Sequence, residues 1–522
     1  MVNEKHEDYQ YNRCISRGIC SINPATASLQ EVILLYLKYA SFYGLKLEEC
    51  GIKDKRLKNF ILNTIAVLSS NYEISEANFG MINSTFQTEL PKSIKYYNEA
   101  CGGTEKPDIN LPGEQTELNE YIRFGEKEFN KKLQNIENDE RNLYRILFIL
   151  IKSICINILV YESYEHSADE EILSVYKVLN LINTQEKSKD ELKKLILDFA
   201  EKDSNLMTKI SIAREERYGE QDEHTVSFST TKGKAVLVVG SNIRELEQIL
   251  DVFKDKNTDI YTHDNMIIAH SFPKFREYKN LKGQFGQGME NCLLDFSTFP
   301  GPIIFTRYSL FNVENLYRGR LFTTDFSYSK GVIKIENNDF TEVIKTTEES
   351  KGFKTGKVCE PETVGFSFGK AAEKIKNSLE YGSYTQVVII ASEGYTNEEK
   401  EYFSTLLKHL PENILVISLN CCKPKSNVIC INASNDIYGT NRLINEIFKI
   451  CRKKITLIYP HSDRHILSVI INSAGHEQCE VFLGNWNRTV INPNITDCLK
   501  ADFSVSGITT PKNDINKILN VK

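Results

Sequence analysis

Apolar residues recur at helical spacing through the first part of the chain, then condense into short uninterrupted runs. In residues 29–38, Leu29, Val32, Ile33, Tyr36 and Leu37 share one face, and Asn23, Pro24 and Ser28 mark a helix start. Residues 117–135 carry a charged helical pattern, and residues 169–199 supply more helix. Residues 146–160 are almost wholly apolar. They fall short of the ~20 residues a membrane span needs, and Lys152 and Asn157 interrupt them, so a buried bundle helix is expected. Residues 215–233 are polar and read as a linker.

Beyond the linker the period changes. The run 234–240 is apolar and ends in glycine, residues 243–254 read as helix, and residues 259–262 read as a second strand. This strand–helix–strand unit is the mark of a parallel sheet covered by helices. It recurs at 386–391, 397–409 and 414–419, and again at 454–459, 466–474 and 481–484. A polar segment, 348–363, separates two such units. The expected fold is α/β: an N-terminal α-helical bundle domain (1–228) followed by two Rossmann-like α/β domains (229–355 and 356–522).

A length of 522 residues agrees with roughly three domains at about 150 residues each. Net charge is −6, from 64 basic and 70 acidic residues, which excludes a general polyanion binder; no nucleic-acid partner is expected. With 41% hydrophobic and 26% charged residues the composition is that of an ordinary globular chain, and no membrane partner is expected. Thirteen cysteines in so long a chain do not form a disulfide framework, and Met1 to Asp8 shows no signal-peptide pattern. Reduced thiols and a cytoplasmic location follow as expectations. The wealth of Lys, Asn and Ile fits an anaerobic bacterium.

Phosphate-binding loops are missing. Gly240, Ser241 and Asn242 follow a strand but lack the later glycines of a dinucleotide fingerprint. Gly283, Gly286 and Gly288 follow no clear strand and read as a plain turn. Cys421, Cys422 and Cys430 lack a fourth donor at zinc-site spacing, Cys155 reads as core, and Trp486 as packing.

Tyr261-Thr262-His263-Asp264-Asn265-Met266, with Ala269-His270-Ser271-Phe272-Pro273 after it, resembles a stretch of the hybrid cluster proteins (prismane proteins, hydroxylamine reductases). More distantly it is similar to the nickel carbon monoxide dehydrogenases. Phe299-Pro300-Gly301, Arg320 to Thr324, Val364-Gly365-Phe366, Ser434-Asn435-Asp436 and Asn492-Pro493-Asn494 continue the resemblance, and Cys14 to Cys20 matches half of the family's N-terminal cysteine motif. The resemblance implies a prismane-like fold of a helical domain and two α/β domains. It also implies a hybrid iron–sulfur–oxygen cluster, held where the three meet by one His, two Glu and four Cys.

Carried across residue by residue, those ligands are mostly replaced. The histidine position falls on Ser241 and one glutamate on Asn265. Cysteine positions fall on Ser309, on Ser392 for the persulfide, on Cys421 and on Ser434, and the last glutamate falls near Pro460. A serine hydroxyl stays protonated at neutral pH and is a harder donor than thiolate. The hybrid cluster is therefore expected to be absent, and hydroxylamine reduction with it. His263 and His270 read as hydrogen-bonding neighbours kept for packing, against the alternative of new metal ligands.

Two cysteines do not hold a four-iron cluster, but two chains would offer four. In the carbon monoxide dehydrogenases a cubane bridges the dimer through a cysteine pair from each chain. The resemblance thus implies a homodimer with Cys14 and Cys20 of each chain around one [4Fe-4S] cluster, beside the alternative of a leftover pair of thiols or a disulfide. The expected role is a non-catalytic scaffold, binding or regulatory protein with an unidentified protein partner. The alternatives are an oxidoreductase of hydroxylamine reductase type, remodelled around Ser241, His263, Asn265, Ser309, Ser392 and Cys421, or an electron-transfer module.

Overall fold

The computed structural model describes residues 24–69, 75–113, 116–135, 138–182, 187–286, 292–309, 319–327, 329–391, 397–419, 426–433, 436–460, 464–484 and 493–520. Among these residues seven long helices come first: α1 (Pro24–Glu49), α2 (Lys55–Ser69), α3 (Glu76–Cys101), α4 (Leu118–Asn135), α5 (Asn138–Glu162), α6 (Asp169–Leu181) and α7 (Lys189–Tyr218). The apolar run 146–160 lies inside α5. Of that helix's most apolar window, 89% is buried within the protein, because α5 packs on α2, α6 and α7. The 169–199 pattern resolves into two helices. Ser188 and Glu191 form a capping box that satisfies the orphan N–H groups at the start of α7.

The segment expected to be a linker is ordered at both ends. Helix α7 runs on to Tyr218, and His224–Val226 forms β1. After it come β2 (Lys234–Val239), α8 (Ile243–Val252), β3 (Thr258–His263), two 3-10 turns (Asp264–Ser271 and Pro273–Glu277), β4 (Leu281–Gln284), α9 (Cys292–Thr298), β5 (Ile303–Phe305), β6 (Leu321–Thr323), β7 (Ile333–Lys334) and α10 (Thr341–Glu349). Gly283 therefore lies in a strand, not in a plain turn. A Cβ there would sit 2.0 Å from the Ser227 carbonyl, so only glycine admits that close approach.

The remaining elements are β8 (Glu362–Val364), α11 (Phe368–Tyr381), β9 (Gln386–Ile390), α12 (Asn397–His409), β10 (Ile414–Ser418), β11 (Val428–Cys430), α13 (Ile437–Ile450), β12 (Lys454–Tyr459), α14 (Arg464–Ala474), β13 (Cys479–Leu483), α15 (Pro493–Asp502), β14 (Val505–Gly507) and α16 (Pro511–Ile518). Strand β8 pairs antiparallel with β1, and the bridges Thr230–Lys357 and Gly233–Phe353 extend the contact. The two polar connectors are thus zipped to each other.

Two six-stranded sheets form the rest of the frame, in the orders β4-β3-β2-β5-β6-β7 and β11-β10-β9-β12-β13-β14, every pair parallel. Counted along the chain within each sheet, both read 3-2-1-4-5-6, the doubly wound order. Helices cover both faces, so β2 after Lys234, β9 after Gln386 and β10 before Ser418 are apolar runs, and β12 is interrupted inside only by the buried Thr456. Helix α7 spans the molecule's centre and packs on α5, α13 and α14.

The expectation of reduced thiols throughout fails at one place. Cys50 and Cys101, at the ends of α1 and α3, form a disulfide with a Cα–Cα distance of 6.2 Å. The pairing brings together residues 51 positions apart, which no spacing pattern announced.

Candidate functional site

In doubly wound sheets, ligands bind outside the carboxyl ends of the strands, at the point where strand order reverses. That point lies between β2 and β5 in the first sheet and between β9 and β12 in the second. Ser241 follows β2, Asn265 follows β3 and Ser309 follows β5. Ser392, Cys421 and Ser434 follow β9, β10 and β11 in the chain, and they, like Cys14 and Cys20, lie outside the described residues.

The end of β2 is closed against the end of β5. Gly240, at φ +126°, precedes Ser241, and a Cβ on it would meet Ser309 Oγ at 2.0 Å and Thr306 Oγ1 at 2.4 Å. Thr306 Oγ1 donates to the Val239 carbonyl at 3.0 Å, and Ser309 N donates to the Thr306 carbonyl at 3.2 Å. Glu245, buried on α8, accepts from Arg307 N at 2.9 Å and Thr324 Oγ1 at 2.6 Å. Burial pushes its carboxyl pKa up, and Arg307 beside it pulls it back. Tyr308, at φ +70°, donates its N–H to Asp325 Oδ2 at 2.6 Å. Burial raises its phenol far above the ordinary value, so it stays protonated. Ser241 itself is exposed.

At the end of β3, His263 is fully buried. Its Nε2 lies 3.1 Å from Asp295 Oδ2 on α9, its ring packs 5.0 Å from Phe296, and its Nδ1 has no protein partner. His270 Nε2 lies 3.0 Å from Thr262 Oγ1, whose single proton goes to Gln284 Oε1 at 2.6 Å or to the Gly283 carbonyl at 3.3 Å. The hydroxyl therefore accepts from the ring, so Nε2 carries the proton. Burial holds the His270 pKa down at about 3, which keeps the ring neutral. His270 is thus hydrogen-bonded within its own sheet, whereas His263 pairs with a helix carboxylate and leaves its buried Nδ1 unpaired. Asn265 stands exposed on the 3-10 turn.

Between Asn265 and His263, Asp264 sits at φ +61°, the left-handed region that favours glycine. Burial raises its carboxyl to about 6. Asp264→Gly removes both penalties and is expected to raise stability by about 1 kcal/mol at pH 7. The gain should shrink below pH 6, where the wild-type carboxyl is already protonated. Chemical unfolding of both proteins at pH 5 and pH 7.5 reads this out; equal or lower stability of the variant at pH 7.5 contradicts it.

The residues that sequence reasoning missed lie where α7 packs on α5, α13, α14 and the 3-10 turn Pro273–Glu277. Arg214 on α7 is buried. Its guanidinium stacks 4.3 Å over the Tyr438 ring and faces Asp436 Oδ1 at 3.7 Å. Tyr438 OH donates to Asn157 Oδ1 at 3.1 Å, and Asn157 Nδ2 donates to Asp203 Oδ1 at 2.7 Å. Ser468 Oγ donates to the other Asp203 oxygen. On the opposite side Glu247 of α8 gathers Arg217 (2.9 Å), Arg244 (2.8 Å), Lys274 (2.6 Å) and Tyr218 OH (3.2 Å). Those cations outweigh burial and hold its carboxyl at about 2. Asp436 belongs to the stretch Ser434-Asn435-Asp436 and Asn157 interrupts the apolar run 146–160, so both carried a signal, whereas Arg214 and Glu247 are single charges on helices.

The profile of the Prismane/CO dehydrogenase family matches residues 10–436. The chain is 26% identical to a hydroxylamine reductase of Methanococcus vannielii, an alignment covering 97% of each. It is 24% identical to those of Halothermothrix orenii (97% of each) and Clostridium novyi (97% of this chain, 96% of the relative). Among solved structures it is similar to a Ni-free carbon monoxide dehydrogenase from Thermococcus sp. AM4, with a TM-score of 0.43 and 12% identity over 97% of this chain and 87% of that one.

Proposed function

Because the chain belongs to the Prismane/CO dehydrogenase family, we propose that it keeps the family's frame as a non-catalytic scaffold, binding or regulatory protein without the hybrid cluster. The carrying observation is the closed seam between β2 and β5. Thr306 and Glu245 spend their oxygens on Val239, Arg307 and Thr324, and Ser309 fills the space beside Gly240. The donors facing this point are hydroxyls, and an iron–sulfur assembly needs thiolates. Asn265, where the resemblance places a carboxylate, is a neutral amide. The residues present do not fit the hybrid cluster.

The pair Cys14 and Cys20 fits a different group. Two copies of the chain supply four thiolates, enough for one [4Fe-4S] cluster bridging a homodimer. The second reading, a remodelled oxidoreductase, draws on the likeness to hydroxylamine reductases over 97% of the chain and on the buried His263–Asp295 pair.

Anaerobically purified full chain separates these readings. The scaffold reading expects about two iron atoms per chain, with thiolate-to-iron absorbance that disappears in the Cys14→Ser/Cys20→Ser variant. It also expects no hydroxylamine reduction by the dithionite-reduced protein above a protein-free control. Iron that persists in the double variant, together with turnover, overturns the scaffold reading in favour of the oxidoreductase. Iron-free wild-type protein without turnover removes the bridging cluster and leaves the scaffold.

A further inference from the structure

We propose that Cys50 and Cys101 are a reversible redox site on the helical domain, a clasp closed by low-molecular-weight disulfides and opened by dithiols. Helix α1 ends at Glu49, and Cys50 follows on the surface, next to Gly51 at φ +74°. Helix α3 ends at Cys101 and is capped by Gly102 at φ +62°. The two helix ends lie side by side, and their Cα–Cα distance of 6.2 Å is within the range a disulfide spans without backbone movement.

The neighbourhood gives the clasp something to hold. After Cys101 the chain leaves α3 as an extended strap through residues 102–113 before α4. Lys46, one turn before Cys50 on α1, binds Glu105 of that strap at 2.7 Å and Glu49 at 3.3 Å. The disulfide and this ion pair fasten the strap's root to α1 at adjacent points. The ion pair is exposed and weak alone, so the covalent link decides how tightly the root is held.

The contrast with other thiols supports the assignment. Cys155, Cys292, Cys451 and Cys498 are buried, and burial raises the pKa of each; Cys479 and Cys498 are pushed to about 12. Thiol–disulfide exchange runs through the thiolate at an accessible sulfur, so these are poor participants. Cys50 is accessible. In the closing step its thiolate attacks a disulfide RSSR and releases one RSH. The Cys101 thiolate then attacks the mixed disulfide and releases the second RSH. Two electrons pass from the protein's sulfurs to the oxidant, and both protons leave with the two RSH. A dithiol reverses the sequence.

The test uses the full chain, reduced with dithiothreitol and then equilibrated with glutathione disulfide. The expected product is about 2 Da lighter than the reduced chain, and its non-reducing peptide map shows Cys50 joined to Cys101. A Glu-specific protease should cut after Glu105 several-fold more slowly in the closed form than in the reduced form. That protection should vanish in both Cys50→Ser, an exposed change, and Cys101→Ser, a half-buried one at a helix end. Cys50 and Cys101 recovered separately alkylated or glutathionylated after oxidation overturn the proposal. So does protection of Glu105 that is unchanged by reduction.

Discussion

Arg214→Met is expected to lower stability by about 4 kcal/mol, the scale on which a buried charge is stranded when its partner is removed. Arg214 is 5% exposed and Asp436 is 3% exposed, so water does not reach in to replace the lost cation. Methionine keeps most of the stem volume and a polarizable contact for the Tyr438 ring, which confines the loss to charge and hydrogen bonding. Asp436 stands at the start of α13 without a side-chain cap bond, so the helix dipole offsets only part of the deficit. Adding Asp436→Asn to Arg214→Met should therefore restore about half of the loss. Urea unfolding of the two single variants and the double variant measures the coupling. Additive effects would show that the 3.7 Å pair carries no interaction.

The site matters because Arg214 joins three parts of the chain. It rises from α7, stacks on α13, and reaches the neighbourhood of Tyr308 beyond β5 through Tyr438. A network of guanidinium, phenol, amide and carboxylates thus ties α7 and α5 of the helical part to α13 and α14 of the second α/β unit.

Much of this frame was legible in the sequence, for physical reasons. Strands buried on both faces are mostly apolar, so 386–391, 414–419 and 454–459 stood out, the first two one residue longer than the strands themselves, and Asn397–His409 is helical over the very residues that its pattern marked. Strands β1 and β8 were not legible. They are three residues long and half polar, and they exist through mutual pairing across more than a hundred residues. Gly283 concealed β4, since its role is a close backbone approach and carries no side-chain signal. At the candidate site, Ser241, Asn265 and Ser309 follow the parallel strands β2, β3 and β5. Arg214 and Glu247 were invisible because a charge on a helix face reads as solvated until the packing partner is known.

The pH response of Asp203 isolates the same junction from the other side. Asp203 is fully buried between α7 and α14, and burial raises its carboxyl to about 6, although Ser153, Ser468 and Asn157 donate to it. The folded state therefore binds its proton more tightly than the unfolded chain, whose carboxyl titrates near the ordinary 3.8. The resulting stability is fully present below the unfolded value and is lost as pH rises through about 6. About 1 kcal/mol of it falls between pH 5 and pH 8, where few other carboxyls titrate. Asp203→Asn has no proton to lose. The stability of wild type relative to this variant should be about 1 kcal/mol greater at pH 5 than at pH 8. Glu247 shifts in the opposite sense, and its contribution, lost only as pH falls from the ordinary carboxyl range toward about 2, lies outside this window. Unfolding curves of both proteins from pH 5 to pH 8 give the difference directly. A gap that stays constant with pH would mean that the three donors keep the Asp203 carboxylate ionised in the folded core.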